Sequence, residues 1–309
     1  MRAVVQNAFG GPEVLRLVDD YPEPAPGRGE ILVNVEAIGI NPVDAAVRAG
    51  AYPLLGDPPF VLGWDVAGVI EAIGPDVPGL AVDDAVFGMA RFPKQAAAYA
   101  EKIAVPAHEL APKPRGLNHI HAAALPLAGL TAWQGLVDAA DIRSGQRVLI
   151  HGAAGGVGHL AVQIAKAKGA FVIATASEDK VEFVRNLGAD QVIDYRKEDF
   201  TRIALEIDIA LETIGGDHTA QTVGTLRWGG VLVSLLGVNE VAAAAAHDRR
   251  IRVERISVRP DRDGLLELTK LVEAGSLKIH VEQSFDLAQA AAAHRLLATK
   301  PKGKIVLTT

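Results

Sequence analysis

The spacing of apolar residues changes character twice along the chain. In Glu30 to Ile40, Ile31, Val33 and Val35 alternate with polar positions, the pattern of a half-buried strand. Phe60 to Gly74 and Asp84 to Gly88 are short apolar runs punctuated by glycine. Tyr21-Pro-Glu-Pro-Ala-Pro-Gly is too rich in proline for interior sheet. Frequent turns between short strands predict a β-rich barrel or sandwich over roughly the first 120 residues. From about His119 the spacing becomes helical through Ala122 to Ala140, with a kink expected at Pro126. Strands are then predicted at Val148–Ile150, Phe171–Thr175, Gln191–Tyr195, Ile207–Thr213, Val231–Leu236 and Ile251–Val258. Amphipathic segments such as Lys180 to Leu187 separate them. That alternation predicts an α/β fold with a doubly wound, six-stranded parallel sheet. Helices at Leu265 to Glu273 and Leu287 to Ala298 and a strand from Lys304 to Thr308 close the chain. No internal repeat is present, and the Ala242 to Ala246 run carries no assignable function.

The most informative stretch is Arg147 to Gly169. A short apolar run, Val148 to Ile150, leads into a turn containing Gly152, Gly155, Gly156 and Gly158. Val157, Leu160, Ala161, Ile164 and Ala165 then recur at helical spacing, and Gly169 is placed to end the helix. Strand, glycine turn and helix in this order form the context of a dinucleotide fingerprint. Glycines let backbone approach a pyrophosphate, and the helix start offers free N–H groups and the positive end of its dipole. Ala153 replaces the first glycine of G-x-G-x-x-G, which is tolerable only if that residue keeps a negative φ. Such a turn also serves simply to let a helix pack closely on a strand.

Composition narrows the classes. The 309 residues suffice for two domains with substantial cores. Lys and Arg number 31 against 37 Asp and Glu, a formal charge of −6, so no basic field exists to hold nucleic acid or an anionic membrane. Met1-Arg-Ala-Val-Val-Gln-Asn lacks the apolar core of a signal peptide, and no apolar run approaches the ~20 residues of a membrane span. A cytoplasmic location is the resulting expectation. With no cysteine there are no disulfides, thiolate nucleophiles or thiolate metal ligands.

Several motifs in order carry a family resemblance: Gly39-Ile-Asn-Pro-Val-Asp44, Gly63-Trp-Asp-Val-Ala-Gly-Val-Ile-Glu-Ala-Ile-Gly74, Leu127-Ala-Gly-Leu-Thr-Ala-Trp133, the glycine turn, Leu187-Gly-Ala-Asp190 and Gly303-Lys-Ile-Val-Leu307. Over essentially its whole length the chain resembles the zinc-free, quinone-oxidoreductase-like branch of the medium-chain dehydrogenase/reductase superfamily. The resemblance implies a GroES-like catalytic domain (residues 1–121 and 259–309) around a Rossmann NADP-binding domain (residues 122–258). It also implies a homodimer, formed through the sheet edge near Ile251 to Val258, whose alternation suits an edge strand; a solvated edge guarded by its own arginines is the alternative.

Zinc alcohol dehydrogenases of the superfamily carry cysteine in the first motif and histidine-glutamate in the second; here Asn41 and Trp64-Asp65 stand there. The nine histidines offer no three-ligand constellation, because the rings of His119 and His121 would lie on different sides of a helix. No metal is expected. For the cofactor, the second strand ends Ala174-Thr-Ala-Ser177, without the carboxylate that holds a ribose 2′-hydroxyl. Lys180 on the next turn and Tyr195 beside it, followed by Arg196, suit a 2′-phosphate, and the family uses a lysine and a tyrosine there. NADPH is therefore expected, although Ser177 also suits a helix N-cap and Lys180 an ordinary surface position. Glu178 or Asp179, one residue out of register, would instead favour NADH.

By resemblance Asn41 and Tyr52 line the substrate cleft. Asn41 would donate its amide N–H to an acceptor oxygen, and Tyr52 a hydrogen bond or proton. The competing roles are a turn residue before Pro42 and a packing residue before Pro53. Asp65 is a candidate support in the cleft, and Thr131 a candidate at both the cleft and the cofactor, or else a helix-interior threonine bonded to its own backbone. The cofactor set is Gly155, Gly156, Val157, Gly158, Ser177, Lys180, Tyr195, Thr213, Gly215, Leu235, Leu236 and Gly237. Those after the fourth and fifth strands are placed by the rule that ligands bind at strand carboxyl ends. Ala45 and Ala46 are small where some relatives carry aromatic groups, which widens the expected cleft. The implied reaction is hydride transfer from NADPH to a quinone. The alternatives are reduction of an α,β-unsaturated ketone, aldehyde or enoyl thioester, and a non-catalytic NADPH-binding sensor or structural protein.

Overall fold

The computed structural model describes residues Met1–Thr309 and divides them into two compact units. The first comprises Met1–Leu130, Arg259–Glu273 and Ile279–Thr309; the second comprises Thr131–Val258 and Ala274–Lys278.

In the first unit β1 (Ala3–Gln6), β2 (Leu15–Val18) and, later, β4 (Phe60–Val61) form a small antiparallel sheet in the order β2-β1-β4. The larger sheet is built on β3 (Glu30–Ile40), followed by α1 (Pro42–Arg48), β5 (Asp65–Ile73), β6 (Ala85–Met89), β7 (Lys102–Pro106) and β8 (Leu110–Pro112). The helices α2 (His119–Ala123) and α3 (Pro126–Trp133) follow, with the break falling just before Pro126, whose ring disfavours helix in the preceding residue. A π-helical stretch, Gln134–Ala139, continues α3.

The second unit holds β9 (Arg147–Ile150), α4 (Gly156–Ala167), β10 (Phe171–Ala176), α5 (Val181–Asn186), β11 (Gln191–Asp194), α6 (Phe200–Ile203), β12 (Ile207–Glu212), α7 (Asp217–Thr225), β13 (Leu226–Ser234), α8 (Glu240–Asp248) and β14 (Arg252–Arg255). The six strands are parallel in the order β11-β10-β9-β12-β13-β14, as the alternating pattern predicts. The alanine run Ala242 to Ala246 lies within α8. The chain ends with α9 (Arg262–Glu273), β15 (Val281–Asp286), α10 (Ala290–Ala298) and β16 (Lys304–Thr308). The sequence pattern misses β15, whose middle, Glu282-Gln283-Ser284, is polar; its parallel pairing with β16 sets it in the large sheet, order β15-β16-β3-β5-β6-β8 with β7 on β3.

Burial explains where the pattern holds and where it fails. In β3 only Asn34 and Glu36 face solvent, and everything from Ala37 to Ile40 is buried. The expected alternation is lost there because α2 covers that end: a Cβ on Gly39 would fall 2.3 Å from the Ala123 carbonyl oxygen. In the second unit Leu149, Ile173, Ile193, Phe200, Ile207, Val223 and Leu232 form one core cluster. The strands between helices are apolar on both faces, as a covered parallel sheet requires.

The glycine turn is closely packed. Ala153 is absent from the positive-φ residues, while Gly152 takes φ 60°, so the left-handed position lies one residue before the motif's first site. A Cβ on Gly158 would stand 2.3 Å from the Gly152 carbonyl oxygen and 2.6 Å from the Ala153 Cα. Gly158→Ala is therefore expected to cost about 2–3 kcal/mol or more, because backbone rather than a mobile side chain must yield. Thermal unfolding of variant and parent measures the loss, and an unchanged Tm would contradict this packing.

Candidate active site and dinucleotide site

The first unit concentrates buried ionisable groups around the end of β3. Asn41 follows β3 directly, in extended conformation (φ −130°, ψ 155°), and Pro42 then starts α1 with the φ that a first helical residue needs. The Asn41 backbone N–H donates to Asp44 Oδ2 at 2.6 Å. Its side-chain amide donates to Asp65 Oδ2 at 2.9 Å and lies 3.5 Å from the Gly39 carbonyl. Asp65, at the head of β5, accepts from the Leu127 N–H at 2.9 Å and so serves the start of α3. Lys304, at the head of β16, donates to the Ile40 carbonyl at 2.8 Å and to Asn41 Oδ1, and lies 3.9 Å from Asp65. Asn41, Asp44, Asp65 and Lys304 are all buried, at 1%, 0%, 0% and 3% exposure.

Asn41, expected as a donor to substrate, directs its side-chain amide at Asp65 and toward the Gly39 carbonyl and is buried. Tyr52 differs: it lies just past α1, its N–H donates to the Ala46 carbonyl at 3.2 Å, and its side chain is half exposed. Trp64 is buried, and its indole donates to the Lys94 carbonyl at 2.7 Å.

Burial dominates the electrostatics. It lifts the Asp65 carboxyl to about 6 against the opposing pull of Lys304, Asn41 and the Leu127 N–H. It lifts Asp44 to about 7, helped by the Asp65 charge and opposed by the Asn41 N–H, Lys304 and Tyr99. It lowers Lys304, which Asp65 and Asp44 partly hold up. Both members of the Lys304–Asp65 pair are thus drawn toward neutrality despite their proximity, so desolvation outweighs their attraction. Beyond Asp44 lies a second buried group: the Tyr99 hydroxyl meets His294 Nε2 at 2.9 Å, and Arg48 meets His294 Nδ1 at 2.8 Å. Burial and then the Arg48 charge push His294 down to about 3, so its ring is neutral.

In the second unit the helix α4 starts at Gly156, and its N-cap, Gly155, is extended and bears no capping side chain. The N–H groups of the first turn, from Gly156, Val157 and Gly158, have no side-chain oxygen to satisfy them. A Cβ on Gly155 would lie 3.3 Å from the Gly152 carbonyl oxygen, close enough that one of the two would have to shift slightly. Backbone donors and room for close approach fit a pyrophosphate.

Beside it, β10 and β11 end in register, Ala176 opposite Asp194. Ser177 and Tyr195, each the first residue past its strand, are therefore neighbours, and the Tyr195 N–H donates to the Ala176 carbonyl at 3.2 Å. The Lys180 N–H bonds the Ser177 carbonyl at 2.8 Å. Ser177 occupies the N-cap position of the short Glu178–Lys180 turn, but its side chain makes no capping bond. Instead it bonds Asp179, whose carboxyl falls below its usual range through Ser177 first and then through neighbouring groups including the Lys180 and Arg196 charges. Glu178 is bound to Lys197 at 2.5 Å, so both nearby carboxylates have partners of their own. Tyr195 is half exposed, with the Arg196 guanidinium 5.9 Å from its ring centre.

On the other side of the turn, Thr213 Oγ1 donates to the His151 carbonyl at 3.0 Å, and Gly215 takes φ 81°. The Leu235 N–H bonds the Glu212 carbonyl at 3.0 Å, Leu236 is exposed, and Gly237 takes φ 82°. Thr131 is buried within α3. Against the expectation that the histidines offer no three-ligand set, folding brings His151, Glu212 and His218 together with possible ligand atoms within 4.8 Å of one another, and hydrogen bonds that include Thr222 join them.

Sequence reasoning missed Lys304, Asp44, Tyr99, His294 and Glu212 as partners. The available signal was a charged residue at the end of a strand otherwise apolar, as in Lys304 before Ile305-Val-Leu and Glu212 after Ile209-Ala-Leu.

The chain is similar to known proteins over its whole length. Residues 27–115 match the alcohol dehydrogenase GroES-like domain, and residues 187–307 the zinc-binding dehydrogenase domain. The chain is 36% identical over 99% of its length to an NADPH-dependent alkenal/one oxidoreductase of Arabidopsis thaliana, covering 79% of that protein. It is 31% identical over 99% of its length to a quinone oxidoreductase of Mus musculus, covering 97%. It also matches, at 38% identity over 91% of its length, a spectinabilin polyketide synthase system protein of Streptomyces orinoci, but spans only 13% of that much longer chain. Among solved structures, the Escherichia coli quinone oxidoreductase complexed with NADPH superposes with a TM-score of 0.91 at 31% identity, each chain covered completely.

The Asp44 carboxyl gives a pH test. Its folded pKa lies above the ordinary 3.8, so its contribution to stability is fully present below that value and is lost as pH rises through about 7. Asp44→Asn removes this titration. Its Tm relative to the parent is expected to shift in its favour between about pH 4 and about pH 8. A constant difference across that range would show that Asp44 does not titrate there.

Proposed function

The chain belongs to the medium-chain dehydrogenase/reductase superfamily, and within it we propose an NADPH-dependent, zinc-independent reductase that delivers hydride to a quinone. The observation that carries this reading is the uncapped, glycine-lined start of α4 flanked by Ser177, Lys180 and Tyr195. The glycine cradle supplies backbone donors for a pyrophosphate, while Lys180 and the Tyr195 hydroxyl suit a 2′-phosphate. Relatives named as quinone and alkenal/one oxidoreductases, and a neighbour solved with NADPH, support the same reading.

Bound NADPH would supply the hydride; the chain's own residues must orient the acceptor and provide the proton that completes hydroquinone formation. Tyr52 is the exposed donor suited to that second task, since Asn41 is committed to Asp65. Asn41, Asp65 and Lys304 act as the buried support that fixes α1 and the start of α3.

Zinc does not fit this support. Asn41 and Asp65 supply oxygen donors, but the ammonium of Lys304 binds Asn41 and sits 3.9 Å from Asp65, so the chain's own cation fills the place. The indole of Trp64 is no metal ligand, and a zinc site needs three donors and an open position. No helix is long and apolar enough to cross a membrane. A cytoplasmic homodimer paired at the outer edge of β14 completes the reading, because that edge of the sheet is unpaired within the chain. Light scattering during size-exclusion chromatography tests the dimer, and a monomer would remove it.

Enone reduction is the second reading, favoured by the alkenal/one oxidoreductase relative. NADPH oxidation with 1,4-benzoquinone, 9,10-phenanthrenequinone and a short enone, repeated with NADH and with a chelator, separates the possibilities. Quinone turnover that prefers NADPH and ignores the chelator is expected. Activity confined to the enone would move the function to alkenal or enone reduction, and silence with every acceptor would leave an NADPH-binding protein. Lys180→Ala is expected to raise KM for NADPH about tenfold while leaving that for NADH nearly unchanged. Equal effects on both cofactors would sink the 2′-phosphate assignment.

A further inference from the structure

Glu212 ends β12 and is wholly buried. Its Oε1 accepts from the N–H groups of Ile214 at 2.6 Å and Gly215 at 3.1 Å. Its Oε2 accepts from His218 Nδ1 at 2.8 Å and Thr222 Oγ1 at 2.7 Å, both on α7. Burial alone would raise this carboxyl, but His218, His151, Thr222 and the Ile214 N–H outweigh it and carry it down to about 2. The network continues inward: Thr222 Oγ1 lies 3.1 Å from His151 Nε2, and His151 Nδ1 lies 3.0 Å from Thr175 Oγ1.

One assignment of hydrogens satisfies every member. Thr222 has a single hydroxyl hydrogen, and Glu212 takes it. The Thr222 oxygen then accepts from His151 Nε2–H, and His151 Nδ1 accepts from the Thr175 hydroxyl. This requires a neutral His151, and burial pushes that ring down to about 3. With the Thr213–His151 bond, the ends of β9, β10 and β12 are tied together beneath the glycine turn.

The exposed product of this buried network is the loop after β12. Two of its backbone N–H groups are fixed on Glu212, which holds Gly215 in its left-handed conformation and turns Ile214 outward, 52% exposed. Ile214 Cδ1 lies 3.9 Å from where a Cβ on Gly152 would stand, so the side chain borders the glycine turn. Leu236, 65% exposed, borders Gly215: a Cβ there would stand 3.1 Å from the Leu236 Cβ. The result is an apolar face on the β12–β13 side of the turn, while Ser177, Lys180 and Tyr195 lie on the β10–β11 side.

A dinucleotide with its pyrophosphate at the turn after β9 has one half on each side. If the 2′-phosphate meets Lys180, the nicotinamide half must cross the Ile214–Leu236 face. We propose that Glu212, held by Thr222 and His218, is a positioning residue that presets the Ile214–Gly215 loop for the nicotinamide half of the cofactor. This rests on the NADPH reading above. A preset loop has no ordering cost left to meet on binding, which favours the ligand that touches it and is indifferent to one that does not.

The test compares two ligands by calorimetry: NADPH, and 2′,5′-ADP, which carries the phosphorylated adenosine half alone. Thr222→Val removes a donor from Glu212 and the acceptor from His151. It is expected to weaken NADPH about tenfold or more and 2′,5′-ADP by less than about twofold, and Thr222→Ser, which keeps the hydroxyl, is expected to restore NADPH binding. His218→Ala, at the half-exposed edge of the network, should show the same split at about threefold or more, and it carries the test if Thr222→Val does not fold. Equal weakening of both ligands would reduce the network to general stability and overturn the proposal, as would unchanged NADPH binding. Parent protein that binds neither ligand would instead overturn the cofactor reading on which the proposal stands.

Discussion

Lys304 is held in the interior by two segments far from it in sequence, and much of the first unit is organised around that contact. An ammonium at 3% exposure must replace its lost water, and it does so with the Ile40 carbonyl, the Asn41 amide oxygen and the nearby Asp65. In doing so it joins the closing strand β16 to the end of β3 and the head of β5. Asn41 thereby starts α1, and Asp65 satisfies an N–H at the start of α3. Removing one member leaves the others buried and unpaired, which is why such clusters are costly to break even where they add little net stability.

The second unit applies the same rule to a carboxylate. Glu212 is buried with four donors around it, two of them backbone N–H groups of the loop it precedes. Burial pushes all three carboxyls up, and only at Glu212 do the surrounding groups outweigh it. The difference lies in the donors: Glu212 has enough of them to keep its charge, whereas Asp44 has an oxygen with no hydrogen-bond partner. Burial therefore gives two carboxyls poised near neutrality in one unit and one firmly ionised anchor in the other.

These arrangements bear on function through division of labour. Groups able to meet other molecules, such as Tyr52, Tyr195, Ile214 and Leu236, are exposed at strand or helix ends. Behind them stand buried polar groups that fix the backbone and are themselves inaccessible. Asn41 illustrates how close the two classes lie in a sequence: its position suggests a donor to substrate, while its side chain is buried and donates to Asp65.

The sequence by itself determined the parallel sheet, its six strands and the strand–turn–helix at Gly152 to Gly158, because apolar period and glycine spacing are local properties. It also settled that thiolate chemistry is absent. Helix ends were legible to within a few residues: Pro126 falls just after the break between α2 and α3, and Gly169 ends α4 in a left-handed conformation. Only the tertiary structure decided that β15 joins the large sheet, since its pairing with β16 compensates for a polar sequence. It also decided the partners of the buried charges. Lys304 lies 263 residues from Asn41, and Thr222 lies 71 from His151, separations across which no periodicity carries information. Hydrogen-bond partnership is a property of proximity, and at these distances along the chain only folding creates it.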